Sequence, residues 1–200
     1  MVGGYALRYA LEHPMLSGVV TIGRRNLGIS HPRLRDVSHR DFTDCSALAE
    51  NLSNHDAVVF CLGTYTGVVS DAELRTITVD YTIEFARVLR EHSPDSTFSF
   101  LSGSGADPTG QSRMAFAQYK GAAENALFAA GFPRLYIFRP GYIYPVEGTD
   151  VRLPPTPGNV PGASGGVPQP GYSGRRLGPG HGGHCGPVYR ETRRSDFRES

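Results

Sequence analysis

From the N-terminus to about Val146, short apolar runs alternate with longer stretches in which apolar residues recur every three or four positions. This alternation predicts βα units around a parallel sheet, an α/β fold class. Helical spacing comes first: Val2, Ala6, Leu7, Ala10 and Leu11 share one face, and the pattern stops before Pro14. That predicts a helix from Val2 to His13. Strands are predicted over Gly18–Ile22 and Arg35–Val37. The run from Ala57 to Leu62 is apolar without interruption, as expected of a strand buried on both faces. A helix follows from about Asp71 to Glu91, then a strand over Thr97–Leu101, a helix ending near Ala130, and a strand over Arg134–Phe138.

The pattern breaks after Glu147. Val151 to Arg190 is rich in glycine and proline and almost free of apolar periodicity, so burial cannot offset the entropy of ordering the chain. Residues 1–147 are therefore read as one domain and residues 148–200 as a disordered tail. The tail lacks the strict triplet of collagen; an interaction segment and a shifted reading frame are both compatible with it.

Composition narrows the function classes. Two hundred residues with 39% hydrophobic content sustain one core. A formal net charge of +1 gives no electrostatic case for nucleic acid or a membrane surface. No apolar stretch is long enough to span a bilayer, and Arg8, Glu12, His13 and Pro14 interrupt the N-terminal region where a signal peptide would be apolar. A cytoplasmic protein is expected. Cys45, Cys61 and Cys185 are too scattered for a disulfide framework. His181, His184 and Cys185 lie among glycines and predict no metal site.

Candidate chemistry sits at the predicted strand ends. Gly3-Gly4 opens the first helix, Gly23-Arg24-Arg25 closes the first strand, and Asp41-Phe42 follows the second. Gly63-Thr64 leaves the apolar run, Ser102-Gly103-Ser104 leaves the next strand, and Arg139-Pro140-Gly141-Tyr142 leaves the last. Lys120 is the single lysine among twenty basic residues, and a compact ammonium suits a ribose hydroxyl or a neighbouring phenol better than a guanidinium does. Four positions earlier, on the same helical face, stands Phe116.

With these motifs, residues 1 to about 146 resemble the atypical short-chain dehydrogenase/reductase family, in its Tat-interacting-protein-like and epimerase-like branch. The resemblance implies a Rossmann-like doubly wound parallel sheet binding a nicotinamide dinucleotide. Gly3 corresponds to the last glycine of the phosphate-cradling turn, which implies that the central first strand lies upstream of Met1 and that the sheet here is split. Arg24 and Arg25 fall where the adenosine ribose is read and favour NADP over NAD. Asp41 and Phe42 fall at the adenine, Gly63 and Thr64 at the cofactor-facing turn, and Arg139, Pro140, Gly141 and Tyr142 beside the nicotinamide. Ser102, with Ser104 second, corresponds to the serine that polarises a carbonyl, and Lys120 to the ribose-binding lysine.

Phe116 occupies the place of the acidic tyrosine. Proton delivery then falls to Tyr119, Tyr142, Tyr144 or water, and turnover is expected to be weak. Three readings follow: an NADP-binding reductase-type protein with little activity, a nucleotide-sensing interaction protein, and a non-functional fragment. The substrate, a small molecule, and any homo-oligomer or protein partner are not specified by these residues.

Overall fold

The computed structural model describes residues 2–143. The glycine- and proline-rich segment, with Tyr144, His181, His184 and Cys185, lies outside the described residues. Helix α1 spans Val2–Glu12, and strands β1 (Val19–Gly23) and β2 (Leu34–Ser38) follow it. Two single 3₁₀ turns over Ser46–Leu48 and Glu50–Leu52 lead into β3 (Ala57–Phe60). Then come α2 (Asp71–Arg75), a π turn (Thr76–Asp80), α3 (Tyr81–His92), β4 (Thr97–Leu101), α4 (Ala115–Ala130) and β5 (Arg134–Phe138).

Every strand pair is parallel, as expected of an α/β fold, although β1 and β2 are joined without an intervening helix. β1 pairs with β2, Val19 opposite Leu34 through Gly23 opposite Ser38. A second sheet runs β3–β4–β5, with Phe60 opposite Phe100 and Leu101 opposite Phe138. Among the described residues the strands thus form two separate parallel sheets, the split expected from the sequence. Helix α1 packs on both β1 and β3.

The core lies between β3–β5 and the α3–α4 layer. Phe98 and Phe100 alternate with half-buried neighbours on β4 and are fully enclosed. Phe60 meets Phe85 of α3 at 5.1 Å between ring centroids, and Phe98 meets Phe132 at 4.9 Å. Each such side chain contributes about 1.5–3 kcal/mol by leaving water. The expectation that β3 is buried on both faces is corrected: Phe60 is enclosed, but Ala57 and Val59 are exposed, Val59 to 60%. An apolar run reads the same whether one face or both are covered, and only the Phe60 face meets the aromatic core.

Residues 71–92 form one continuous helical run, started by the Ser70 hydroxyl accepting from the Glu73 N–H at 3.2 Å. The π turn within it buries Ile77, Thr78 and Val79 against α4. Helix α4 ends at Gly131, whose φ of 70° is the left-handed conformation that closes a helix without a Cβ penalty.

Candidate functional site at the carboxyl ends of the strands

Parallel pairing brings the ends of β4 and β5 to one edge, and the chain keeps pairing as it leaves them. Ser102 N–H donates to the Phe138 carbonyl at 2.8 Å, and Ser104 N–H to the Pro140 carbonyl at 3.0 Å. Ser102, Ser104, Arg139, Pro140 and Gly141 are thereby gathered together; a Cβ on Gly141 would lie 4.0 Å from that of Ser104.

Helix α4 covers this edge. Lys120 is only 8% exposed, so it is not a solvated surface lysine. Its Nζ donates to the Leu101 carbonyl at 2.8 Å and stands 4.7 Å from the centre of the Phe100 ring. Burial brings the ammonium down from 10.5 to about 8, while the negative charge of Glu124 and, less strongly, Cys61 oppose that shift. Cys61, just past β3, belongs to the same neighbourhood; burial pushes its thiol up, which leaves it a weak nucleophile. Gly3 also reaches it, since a Cβ there would lie 3.7 Å from Cys61 Cβ.

Phe116 lies one turn before Lys120 with its ring tip aimed at Gly103: a Cβ on Gly103 would stand 2.7 Å from Phe116 Cζ. The ring therefore fills the place from which a phenol would reach the serine loop. Tyr119 points elsewhere, and its hydroxyl donates to Asp71 Oδ2 at 2.6 Å. That carboxylate pushes the Tyr119 phenol up in pKa, away from the range useful for a proton donor at neutral pH.

Ser102 is itself enclosed, and its hydroxyl donates to Glu124 Oε1 at 2.5 Å. Arg139 donates from Nε to the same oxygen at 2.9 Å and from Nη2 to Oε2. Glu124 is not legible as a site residue in the sequence. It was present as the one acidic residue in α4, four positions after Lys120, but its partners come from strand ends 22 and 15 residues away.

The other sequence candidates divide. Arg24 and Arg25 are exposed just past β1, and Gly63 is exposed past β3 with open space where a Cβ would stand. Thr64 is half-buried, and Tyr142 is exposed. Asp41 is committed to Thr43, accepting from its N–H at 2.9 Å and its hydroxyl at 2.5 Å. Phe42, expected as an adenine contact, is 2% exposed and packs in the core against His39 and Tyr81. An apolar residue after a strand can face ligand or core, and here the ring is enclosed. No cluster of three or more metal-ligating side chains occurs among the described residues.

No protein-family model matches the chain. Over 143 residues, 70% of this chain, it is 29% identical to Protein HTATIP2 of Rattus norvegicus, covering 58% of that protein. It is equally similar over 143 residues to Protein FMP52, mitochondrial, of Saccharomyces cerevisiae, covering 61%. The chain thus spans about three fifths of the length of these relatives. Among solved structures, 70% of the chain superposes on 49% of the Bordetella bronchiseptica enzyme WbmG in complex with NAD, at a TM-score of 0.56 and 13% identity. UDP-glucuronic acid 4-epimerase from Bacillus cereus in complex with NAD gives a TM-score of 0.56 at 14% identity, over 69% of this chain and 52% of that one. The structural neighbours bear out the Rossmann-like fold, and the relatives fit the resemblance to the atypical short-chain dehydrogenase/reductase family.

Proposed function

We propose that the chain is an NADP(H)-binding protein of the atypical short-chain reductase type whose catalytic power is weak. The observation that carries this reading is the buried Lys120, held against β4 beside the serine loop, with Phe116 in the acid's place. Related proteins whose structures contain NAD share the fold. The residues present suit a dinucleotide. Gly63 leaves room for close backbone approach, and cationic side chains stand at the exits of β1 and β5 and on α4. Arg24 and Arg25, both exposed, favour the 2′-phosphate of NADP.

Bound NADPH would supply a hydride to a carbonyl carbon. Lys120 would hold the ribose, and Ser104 would hold the carbonyl oxygen, because the Ser102 hydroxyl is already given to Glu124. Phe116 has no acidic proton to give, and the Tyr119 hydroxyl is turned to Asp71. General acid catalysis contributes roughly 10²–10⁴-fold, and a shortfall of that order is expected here.

The same two side chains favour a second reading, a non-catalytic protein that senses nucleotide occupancy and passes it to a partner. The test is a titration with NADPH and NADH followed by cofactor fluorescence, then a carbonyl panel followed by loss of NADPH absorbance. Binding of NADPH over NADH with slow turnover supports the reductase reading, and binding without turnover supports the sensor. Absence of binding by either cofactor would sink both. A cytoplasmic location remains part of the proposal, tested by fractionation, since the yeast relative's name places that protein in mitochondria.

A further inference from the structure

Three segments of the chain meet on one buried carboxylate. Glu124 is fully enclosed, accepts from Ser102 at the exit of β4, and receives a two-point fork from Arg139 at the exit of β5. A planar fork fixes the carboxylate, and the carboxylate in return fixes the guanidinium and the hydroxyl. The Arg139 side chain remains 44% exposed beyond this grip, so it is anchored along one edge and open to solvent elsewhere. Lys120 stands one turn earlier on the same face of α4. The groups facing its ammonium are Glu124 on α4, Cys61 past β3, and the Phe100 ring and Leu101 carbonyl of β4. Glu124 is the anion among them.

We propose that Glu124 is a positioning residue for dinucleotide binding, locking Arg139 and the Ser102–Ser104 loop into one rigid edge beside Lys120. The proposal rests on the dinucleotide-binding reading and adds to it a residue that touches no ligand. Without the carboxylate, Arg139 keeps its charge but loses its anchor, the Ser102 hydroxyl loses its partner on α4, and Lys120 loses the negative charge that sustains its protonation.

The test is NADPH titration of the full chain and its Glu124→Gln variant between pH 6 and 9.5, with far-UV circular dichroism to verify folding. In the unaltered chain, affinity is expected to fall as pH rises through about 8, where Lys120 gives up its proton. In Glu124→Gln, affinity at pH 7 is expected to drop at least about tenfold, within the roughly 10²-fold that a misplacement of about 1 Å can cost, and the midpoint of the pH profile to move lower. A lost structural contact alone would weaken binding evenly and leave the midpoint in place, which would overturn the proposal. So would a folded Gln variant with unchanged affinity. Should Glu124→Gln fail to fold, Glu124→Met with Arg139→Met removes the pair without stranding either charge. That double variant overturns the proposal if it folds and keeps the original midpoint. An unaltered chain that binds no NADPH at any pH overturns the cofactor reading itself, a result separate from failure of the variants.

Discussion

Lys120 has exchanged water for a carbonyl and an aromatic face, and this has a measurable consequence for stability. Its pKa is 10.5 as a free side chain and about 8 in the fold. Between those values the unfolded chain binds more protons than the folded one, so this residue's contribution makes stability rise with pH from about 8 to 10.5. Cys45, whose thiol burial and nearby acids push up to about 12, works in the opposite direction above its ordinary value of 9.0, as do Cys61 and Tyr119, also raised. The comparison must therefore be with Lys120→Met, which lacks the ammonium and retains those groups. Urea unfolding at pH 7.5, 9 and 10.5 should show the unaltered chain gaining on the variant by up to about 3 kcal/mol across that range. Parallel pH profiles would show that Lys120 titrates as an exposed amine. The sequence made the residue conspicuous as the single lysine, four places from Phe116. It could not reveal the burial, which depends on Phe100 and Leu101, residues of a strand formed before α4 begins.

At the scale of elements, the apolar pattern located the five strands of the described residues, α1 and the helical run 71–92 to within a residue or two, along with the end of α4, because period and punctuation are local properties; the start of α4 at Ala115 and the two 3₁₀ turns carry no such mark. Pro14 and Gly131 mark helix ends that the structure places at Glu12 and Ala130. What local pattern omits is the partner of each face. β3 read as doubly buried because Val59 and Phe60 are equally apolar in sequence, and the π turn over Thr76–Asp80 has no periodic signature. Gly121 is another silent position: a Cβ there would stand 1.9 Å from the Asp107 carbonyl oxygen, in a loop further tied to α4 by Asp107 N–H donating to Ala117 O at 2.8 Å. Alanine is the better helix former by about 1 kcal/mol, so propensity alone makes Gly121→Ala stabilising. The overlap is with backbone and forces the loop from the helix, and a net loss of about 1–3 kcal/mol is expected. Gly4→Ala in α1, where the added Cβ meets nothing within 4 Å, is the control and should be neutral or stabilising by up to about 1 kcal/mol. Denaturant midpoints decide the matter, and equal behaviour of the two variants would remove Gly121 as a contact point.

For the molecule as a whole, the division into two sheets predicts unequal local stability. The β3–β5 sheet contributes Phe60, Phe98 and Phe100 to the enclosed core, whereas β1 has no fully buried residue and is half-buried throughout. β1 and β2 are joined to each other by parallel pairing, supported by Thr21 Oγ1 donating to Asp36 Oδ1 at 2.8 Å. Beyond that pairing they are held by α1, which packs on β1, by Arg33 donating to the Leu11, His13 and Leu16 carbonyls, and by Ile22 and Val37 against the edge of the core. A two-stranded unit with one half-covered face opens more readily than three strands under two helices. Amide hydrogen exchange should therefore deuterate peptides covering 19–23 and 34–38 well before those covering 97–101 and 134–138. The two arginines proposed to read the adenosine ribose follow the weaker sheet, while Lys120 and the serine loop stand on the stronger one. A dinucleotide contacting both would slow exchange in β1 and β2 more than in β4 and β5, because only the former start from an easily opened state. Uniform protection before NADPH is added would mean the two sheets open as one cooperative unit. Slowing confined to β4 and β5 on addition would mean that Arg24 and Arg25 take no part in holding the ligand.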